Sequence, residues 1–293
     1  MTRTDLTVAS SIVCRGAEEF LLSFPLGGYP PSLGSQENAM TTAEVLSAAL
    51  ETRNPHLLRR ADQLVDWLLA AQQPDGHWTD PNSADPWDVS STAWAAWALA
   101  STSQPHARFA AQQACQWLEE TMLPNGGLPA NRQVSHPNTY AAAYSLRTLS
   151  QAGSAKGDQI RRYLAHSQNL DGGWGLSRGE LSEATLTDYV LHGFLDAGDG
   201  DGKEALERGL SWLTYNTRSN GIWGSWLERG DSVEGTAFSI YILRRSDRIT
   251  QEALLSSMLF LSRRVKDHTA WEIDGAEQVW VAVSCLLASC GVH

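Results

Sequence analysis

Apolar residues recur along this chain at helical spacing, in pairs of segments with different faces. Residues 57–72 place Leu57, Leu58, Ala61, Leu64, Val65, Leu68 and Leu69 at i, i+3, i+4 and i+7 intervals, with Arg59, Arg60, Asp62 and Asp66 on the other side. One apolar stripe backed by charge predicts a helix on the outside of a larger structure. Residues 90–100 instead turn apolar all round after Ser90, Ser91 and Thr92, through Ala93, Trp94, Trp97 and Leu99. That pattern predicts a helix enclosed by neighbours. The intervening loop holds Pro81, Asn82 and Pro86, and Asp88 or Ser90 suits the N-cap of the second helix. The same pairing recurs at 109–122 with 137–149, 158–168 with 184–197, 203–217 with 233–244, and 251–264 with 275–290, after a first pair at 16–23 and 38–50.

The pairs are copies of one unit. An aromatic residue followed by Leu closes an outer segment at Phe20, Trp67, Trp117, Tyr163, Trp212 and Phe260, in steps of 47, 50, 46, 49 and 48 residues. Downstream of four of these pairs a turn carries a Trp, at Trp78, Trp174, Trp223 (after Asn220-Gly221) and, more weakly, Trp271. These four are expected to brace the hairpins. A fixed period of this length in two helical segments marks repeat architecture. Six such units occupy nearly all 293 residues, so the expectation is one domain spanning 1–293. An open stack needs polar end repeats, yet the last unit is apolar through Val279, Trp280, Val281, Val283, Leu286 and Leu287. A closed ring satisfies that end. The predicted fold is therefore all-α, a single α6–α6 toroid of six helical hairpins around a central cavity, with the inner-helix N-termini gathered at the end that bears the Trp turns.

Composition narrows the partners. Twelve Trp exceed seven Tyr and six Phe, so indoles have a repeated architectural place, a cavity to line, or both. The net charge of −11 opposes attraction to nucleic acid. Cys14, Cys115, Cys285 and Cys290 form no CxxC pair, which predicts buried thiols in a reducing cytoplasm. No stretch approaches 18 consecutive apolar residues, so no transmembrane segment is expected, although transient membrane contact is compatible with the chain. Asp199-Gly200-Asp201-Gly202 lacks the further ligands of a calcium loop and reads as a solvated turn.

The aromatic-Leu-x3-Gln-x2-Asp-Gly-x-Trp pattern, intact at Trp67–Trp78 and Tyr163–Trp174, resembles the QW repeat of the superfamily of squalene–hopene cyclases, oxidosqualene cyclases and protein prenyltransferases. With one barrel, the chain is most similar to single-domain class II terpene cyclases such as merosterolic acid synthase. The resemblance implies cyclisation of a polyprenyl chain, free or attached to an aromatic acid, begun by protonation of an alkene or epoxide. In the family the middle Asp of Asp-x-Asp-Asp-Thr-Ala is the acid. Here Asp88 matches the first Asp, and Ser90 and Ser91 replace the other two.

Three carboxylates are therefore candidates for the acid's role, with Asp88 expected to donate the proton and Glu234 the fallback. Asp88 precedes an inner helix, with Trp87 beside it. Glu234 falls in the register of Ser90 when Leu243 is aligned with Leu99. Asp188 lies one turn deeper, buried as a structural or substrate-facing acid. His136 and Asn138, before the third inner helix, are candidates to orient Asp88, with Asn138 also an N-cap. His192 is a candidate base or cavity wall. Trp94, Trp97, Tyr140, Tyr144, Tyr189, Phe238, Tyr241 and Trp280 are candidates to line the cavity, where a ring face stabilises a cation by roughly 0.5–2 kcal/mol. No Asp-x-Cys and no Asp-Asp-x-x-Asp occurs, so no metal and no cofactor is expected. The expected partner is a hydrophobic isoprenoid or prenylated aromatic substrate. The alternative is a non-catalytic prenyl-lipid binding protein or partner subunit, which needs no acid.

Overall fold

A computed structural model describes residues 3–81, 86–198, 200–218, 221–225, 230–273 and 276–290; Asn82, Asp199, Asn220 and Gly275 lie outside the described residues. Helices occur in pairs. Helix α1 (Arg3–Ser23) is followed by α2 (Ala39–Thr52), then α3 (Pro55–Leu58) and α4 (Ala61–Ala71) by α5 (Asp88–Ala100), and α6 (Pro105–Thr121) by α7 (Thr139–Gln151). Then come α8 (Ala155–Ser167) with α9 (Ala184–Ala197), α10 (Lys203–Tyr215) with α11 (Val233–Arg245), and α12 (Gln251–Lys266) with α13 (Val279–Ser289). The inner helices α2, α5, α7, α9, α11 and α13 each pack on the next, and α13 packs on α2. The ring is closed. First and last repeats meet through α1 against α12 and α13, through Ser10 Oγ donating to the Ser289 carbonyl at 2.8 Å, and through Val279 N–H donating to the Pro31 carbonyl at 3.0 Å.

Three boundaries depart from the apolar pattern. The first outer helix begins near residue 3 rather than 16, because Leu6, Ala9, Val13, Ala17 and Leu21 extend its buried stripe. The second outer segment, read as one helix over 57–72, is broken. Asn54 caps the short α3 by accepting from His56 and Leu57 N–H, and Arg60 turns back to donate to the Leu22 and Phe24 carbonyls at the end of α1. The last inner helix starts at Val279, after a hairpin of β1 (Glu272–Ile273) and β2 (Ala276–Glu277).

The repeated turns show why the unit recurs. Trp78, Trp174 and Trp223 are buried, and each donates its indole N–H to the Leu carbonyl ten residues earlier, at 2.7, 2.8 and 2.9 Å. Each also donates its backbone N–H to a Thr of the following inner helix, Thr92, Thr187 or Thr236, at 3.0, 3.0 and 3.1 Å. One residue thus ties outer helix, turn and inner helix together. The turn's Asp serves the next repeat: Trp117 Nε1 donates to Asp75 at 3.2 Å and Trp212 Nε1 to Asp171 at 3.0 Å. The Gln of the motif donates to its own turn and to the next outer helix, Gln168 reaching the Gly172 and Ala205 carbonyls at 2.8 Å. Gly76 and Gly172 have φ of +95° and +100°, and a Cβ there would come within 2.9 Å of backbone on that helix. Only glycine allows the approach. In the first repeat Tyr29 takes the Trp place, donating its N–H to Thr42 and its hydroxyl to the Leu21 carbonyl. Trp271 differs, stacking on Phe20 of the first repeat with centroids 5.5 Å apart.

Candidate active site

The Thr that receives the turn N–H sets a register for the inner helices. Two residues before and two after it, the side chains face the ring axis. Near the inner-helix N-termini those positions, with the adjoining loops, enclose a cavity of about 250 Å³. Met40 and Glu234 come from the earlier position and Glu44 and Tyr189 from the later one, while α7 and α13, which have Ala142 and Ala282 in place of the Thr, bring Tyr140 and Trp280. Asp80, Trp87, Leu176 and Leu186 complete most of the wall. Of the aromatic residues expected to line a cavity, Tyr140, Tyr189 and Trp280 do so here, and Trp87, beside Asp88, joins them. Tyr140 sits edge-on to Tyr189, with centroids 4.7 Å apart, and edge-on to Trp87 at 5.7 Å.

The carboxylates divide sharply. Glu234 is buried, with Oε1 accepting from the Tyr189 hydroxyl at 3.0 Å and Oε2 from Ser225 Oγ at 3.1 Å. Glu44 is also buried, and its Oε2 has no hydrogen-bond partner among the described residues. Burial, then the charge of Glu234, pushes its carboxyl up to about 8, with Arg147 offsetting part of the rise. In this largely apolar cavity the neutral form of the carboxyl is favoured over the ionised one. Glu44 was missed in the sequence, yet a signal was there. Thr-Ala recurs at 42–43, 92–93 and 236–237, and the next residue is Trp94 or Phe238 in two copies but Glu44 in the first.

Asp88 is placed differently from the expectation. It is the first residue of α5, and its Oδ1 accepts from the Asp80 backbone N–H at 3.2 Å. Burial raises its pKa, and that hydrogen bond opposes the rise. Its role is to hold the loop that brings Asp80 to the cavity wall; Asp88 is not among the residues lining the cavity. His136 is exposed in an outer groove with Tyr163, His166 and Arg178, so it does not orient Asp88. Asn138 caps α7, its Oδ1 accepting from Ala141 N–H at 3.0 Å. Asn138, immediately before its helix, is committed to that helix's orphan N–H groups, whereas Asp88, already inside α5, serves the preceding loop. Asp188 also leaves the cavity. It is fully buried between α9 and α11 and accepts from Ser239 Oγ at 2.6 Å, and burial pushes its carboxyl well above the usual carboxylate range.

Beneath the cavity the remaining candidates form a solid floor. Tyr144 packs on Trp94 at 4.5 Å, and Phe238 stacks on Tyr241 at 5.9 Å. Arg147 lies over the rings of Trp94 and Trp97, 4.9 and 4.3 Å from their centroids, so those faces already hold a cation. Arg147 Nε donates to Asp196 at 2.6 Å, and Arg245 and His192 complete the cluster at 2.6 and 3.2 Å. Tyr241 donates to Glu51. Burial and then Arg147 hold His192 neutral, whereas burial of Asp196 is outweighed by His192, Arg147 and Arg245, which keep it ionised. Trp94, Trp97, Tyr144, His192, Phe238 and Tyr241 thus belong to the floor. Among the described residues no helix is long and apolar enough to cross a membrane, and no group of three or more His, Cys, Asp and Glu could hold a metal ion.

The sequence profile of the prenyltransferase alpha-alpha toroid domain matches residues 32–229. The chain belongs to that family. Drimenyl diphosphate synthase of Streptantibioticus cattleyicolor is 30% identical over 207 residues, which cover 67% of this chain and 38% of the relative. A second drimenyl diphosphate synthase, from Streptomyces showdoensis, is 25% identical over 205 residues with the same coverage. The chain thus spans about 38% of the length of these curated relatives. Among solved structures, the type II terpene cyclase MstE from Scytonema, a variant in complex with geranylgeranyl dihydroxybenzoate, superposes with a TM-score of 0.72 at 15% identity over 98% of this chain and 99% of that one. A glycosidase in complex with glucose superposes with a TM-score of 0.69 at 12% identity over 100% of this toroid and 99% of that one. Likeness at these identities establishes the fold, and the site must speak for the chemistry.

Proposed function

We propose that this toroid is a class II terpene or meroterpenoid cyclase, which folds a prenyl chain in its cavity and starts ring closure by protonating an alkene or epoxide. The observation that carries this reading is a buried carboxyl, Glu44, with Oε2 unpartnered among the described residues, in an aromatic-walled cavity shared with the hydrogen-bonded Glu234. Proton-initiated cyclisation needs an acid that stays protonated until it meets the alkene, and a dry site supplies that. Ring faces of Tyr140, Tyr189, Trp87 and Trp280 then stabilise the passing cation. A non-catalytic prenyl-lipid carrier needs only the apolar wall, and burying carboxyls in it would weaken such a carrier.

The lining also speaks to the substrate. Among the described residues it holds Glu44, Asp80 and Glu234 but no Lys, Arg or His. An anionic diphosphate would be repelled there, so the enclosed part of the substrate is an uncharged prenyl tail, with any polar head at the mouth. A volume of about 250 Å³ supports this, since whole small-molecule sites run to roughly 300–1,000 Å³. The described site is built by one ring, which supports 1–293 working as one unit, and the four free cysteines fit a cytoplasmic setting. The test is incubation with prenylated phenols, prenylated hydroxybenzoates and prenyl diphosphates, read by chromatography and mass spectrometry for products isomeric with the substrate. Conversion of the uncharged prenyl compounds is the expected result; recovery of every substrate unchanged rejects a cyclase.

A further inference from the structure

We propose that Glu44 is the residue that donates the initiating proton, and that Glu234, on the wall of the same cavity, is its partner and the base that ends the cascade. This deepens the cyclase reading and rests on it. The geometry comes first. Glu44 stands at the later inward-facing position of the first inner helix, buried on the cavity wall with Oε2 unpartnered among the described residues. Glu234 stands at the earlier inward-facing position of α11, with one oxygen accepting from Tyr189 and the other from Ser225. Hydrogen bonds donated to a carboxylate favour its ionised form, and a nearby negative charge disfavours ionisation of a second carboxyl. The two acids of one cavity thus have unlike surroundings, Glu234 with two donors and Glu44 with none on Oε2 among the described residues.

The groups facing Glu44 are consistent with that assignment. Helix α7 brings Tyr140, Tyr144 and, below them, Arg147; α9 brings Tyr189, with Asp188 behind it; α11 brings Glu234; the loop before α5 brings Asp80; and α13 brings Trp280. Arg147 is the cation among them. Its Nε donates to Asp196 and its plane lies over the Trp94 and Trp97 faces, while Nη1 has no partner among the described residues; its charge offsets only part of the rise at Glu44.

In the first step the O–H bond at Glu44 Oε2 breaks as its proton forms a C–H bond with the less substituted alkene carbon. The π pair is used in that bond and the other carbon becomes a tertiary cation. The next alkene attacks it, closing a ring and moving the positive charge along the chain. Finally a C–H bond beside the last cation gives its pair to a new alkene, and its proton goes to Glu234. The pair again holds one proton, and product and substrate are isomers.

The experiment compares wild-type protein, Glu44→Gln, Glu44→Asp and Glu234→Gln, with thermal melts confirming folding. Turnover of an uncharged prenyl substrate should fall roughly 10²–10⁴-fold in Glu44→Gln, the usual worth of a general acid. It should partly return in Glu44→Asp. Infrared difference titration of the unliganded protein should show a protonated carboxyl at pH 7 that disappears in Glu44→Gln, and whose midpoint moves to lower pH in Glu234→Gln. An active wild type with equally active Glu44→Gln refutes the donor role alone. So does a Glu44 ionised at pH 7, even with an inactive variant. A wild type that converts no prenyl substrate refutes the cyclase reading and the donor role with it.

Discussion

The upper cavity and the floor beneath it both bury carboxylates, with opposite results. On the floor, Asp196 meets Arg147, Arg245 and His192, and three partners outweigh the cost of burial. One helical turn or two above, Glu44 meets aromatic rings and another acid, and burial prevails. Burial alone therefore says nothing about what an acid does. Where cations satisfy it, the acid is a structural clamp; where only apolar walls and a like charge surround it, the acid keeps a proton it can give away.

Removing the clamp is the most disruptive way to break this contrast. Asp196→Ala leaves the buried Arg147 and the part-exposed Arg245 without their counter-charge, and the loss at Arg147 should cost about 3–5 kcal/mol in urea unfolding. A near-normal midpoint would show that the cluster does not hold the floor. The two acids should also bend stability in opposite directions with pH. Asp196 has a depressed pKa, so its contribution is present above the unfolded Asp value of about 3.9 and is lost as pH falls below it. Glu44 is raised to about 8, so folding is favoured by its proton at low pH and that gain is lost as pH climbs from the unfolded Glu value of about 4.3 towards 8. The slope over that window is at most about 1.4 kcal/mol per pH unit, and Glu44→Gln should flatten it. Unfolding curves at stepped pH read both limbs.

A milder probe removes one donor from Glu234. Tyr189→Phe should weaken its ionised form by roughly 1.5–3 kcal/mol or less, and infrared titration should then find the Glu44 midpoint lowered. An unchanged midpoint would separate the two acids. Smallest of all should be Asp88→Asn. Its oxygen serves the Asp80 N–H, and Asn keeps an acceptor, so stability should shift within about 0.5 kcal/mol and turnover less than tenfold. Loss of turnover by orders of magnitude would return Asp88 to the acid's role.

The repeat was legible because it is local. Each aromatic-Leu pair, turn glycine and turn Trp is needed by contacts within one unit or with its immediate neighbour, so the period of about 48 residues, the helical hairpins and the bracing role of Trp78, Trp174 and Trp223 could be read directly. The closed ring followed from an apolar last unit. Glu234 was also legible, since a single register carries it to the place of Ser90. Which side chains share the axis was decided by the tertiary structure. His136, Asn138 and Asp88 all lie at the start of an inner helix, yet the first faces solvent, the second caps its own helix and the third serves the loop before it. Glu44 and Glu234 are 190 positions apart, and neither alone is distinctive. Their proton states come from closing six helices into a ring, because only then do burial and a like charge act on the same carboxyl.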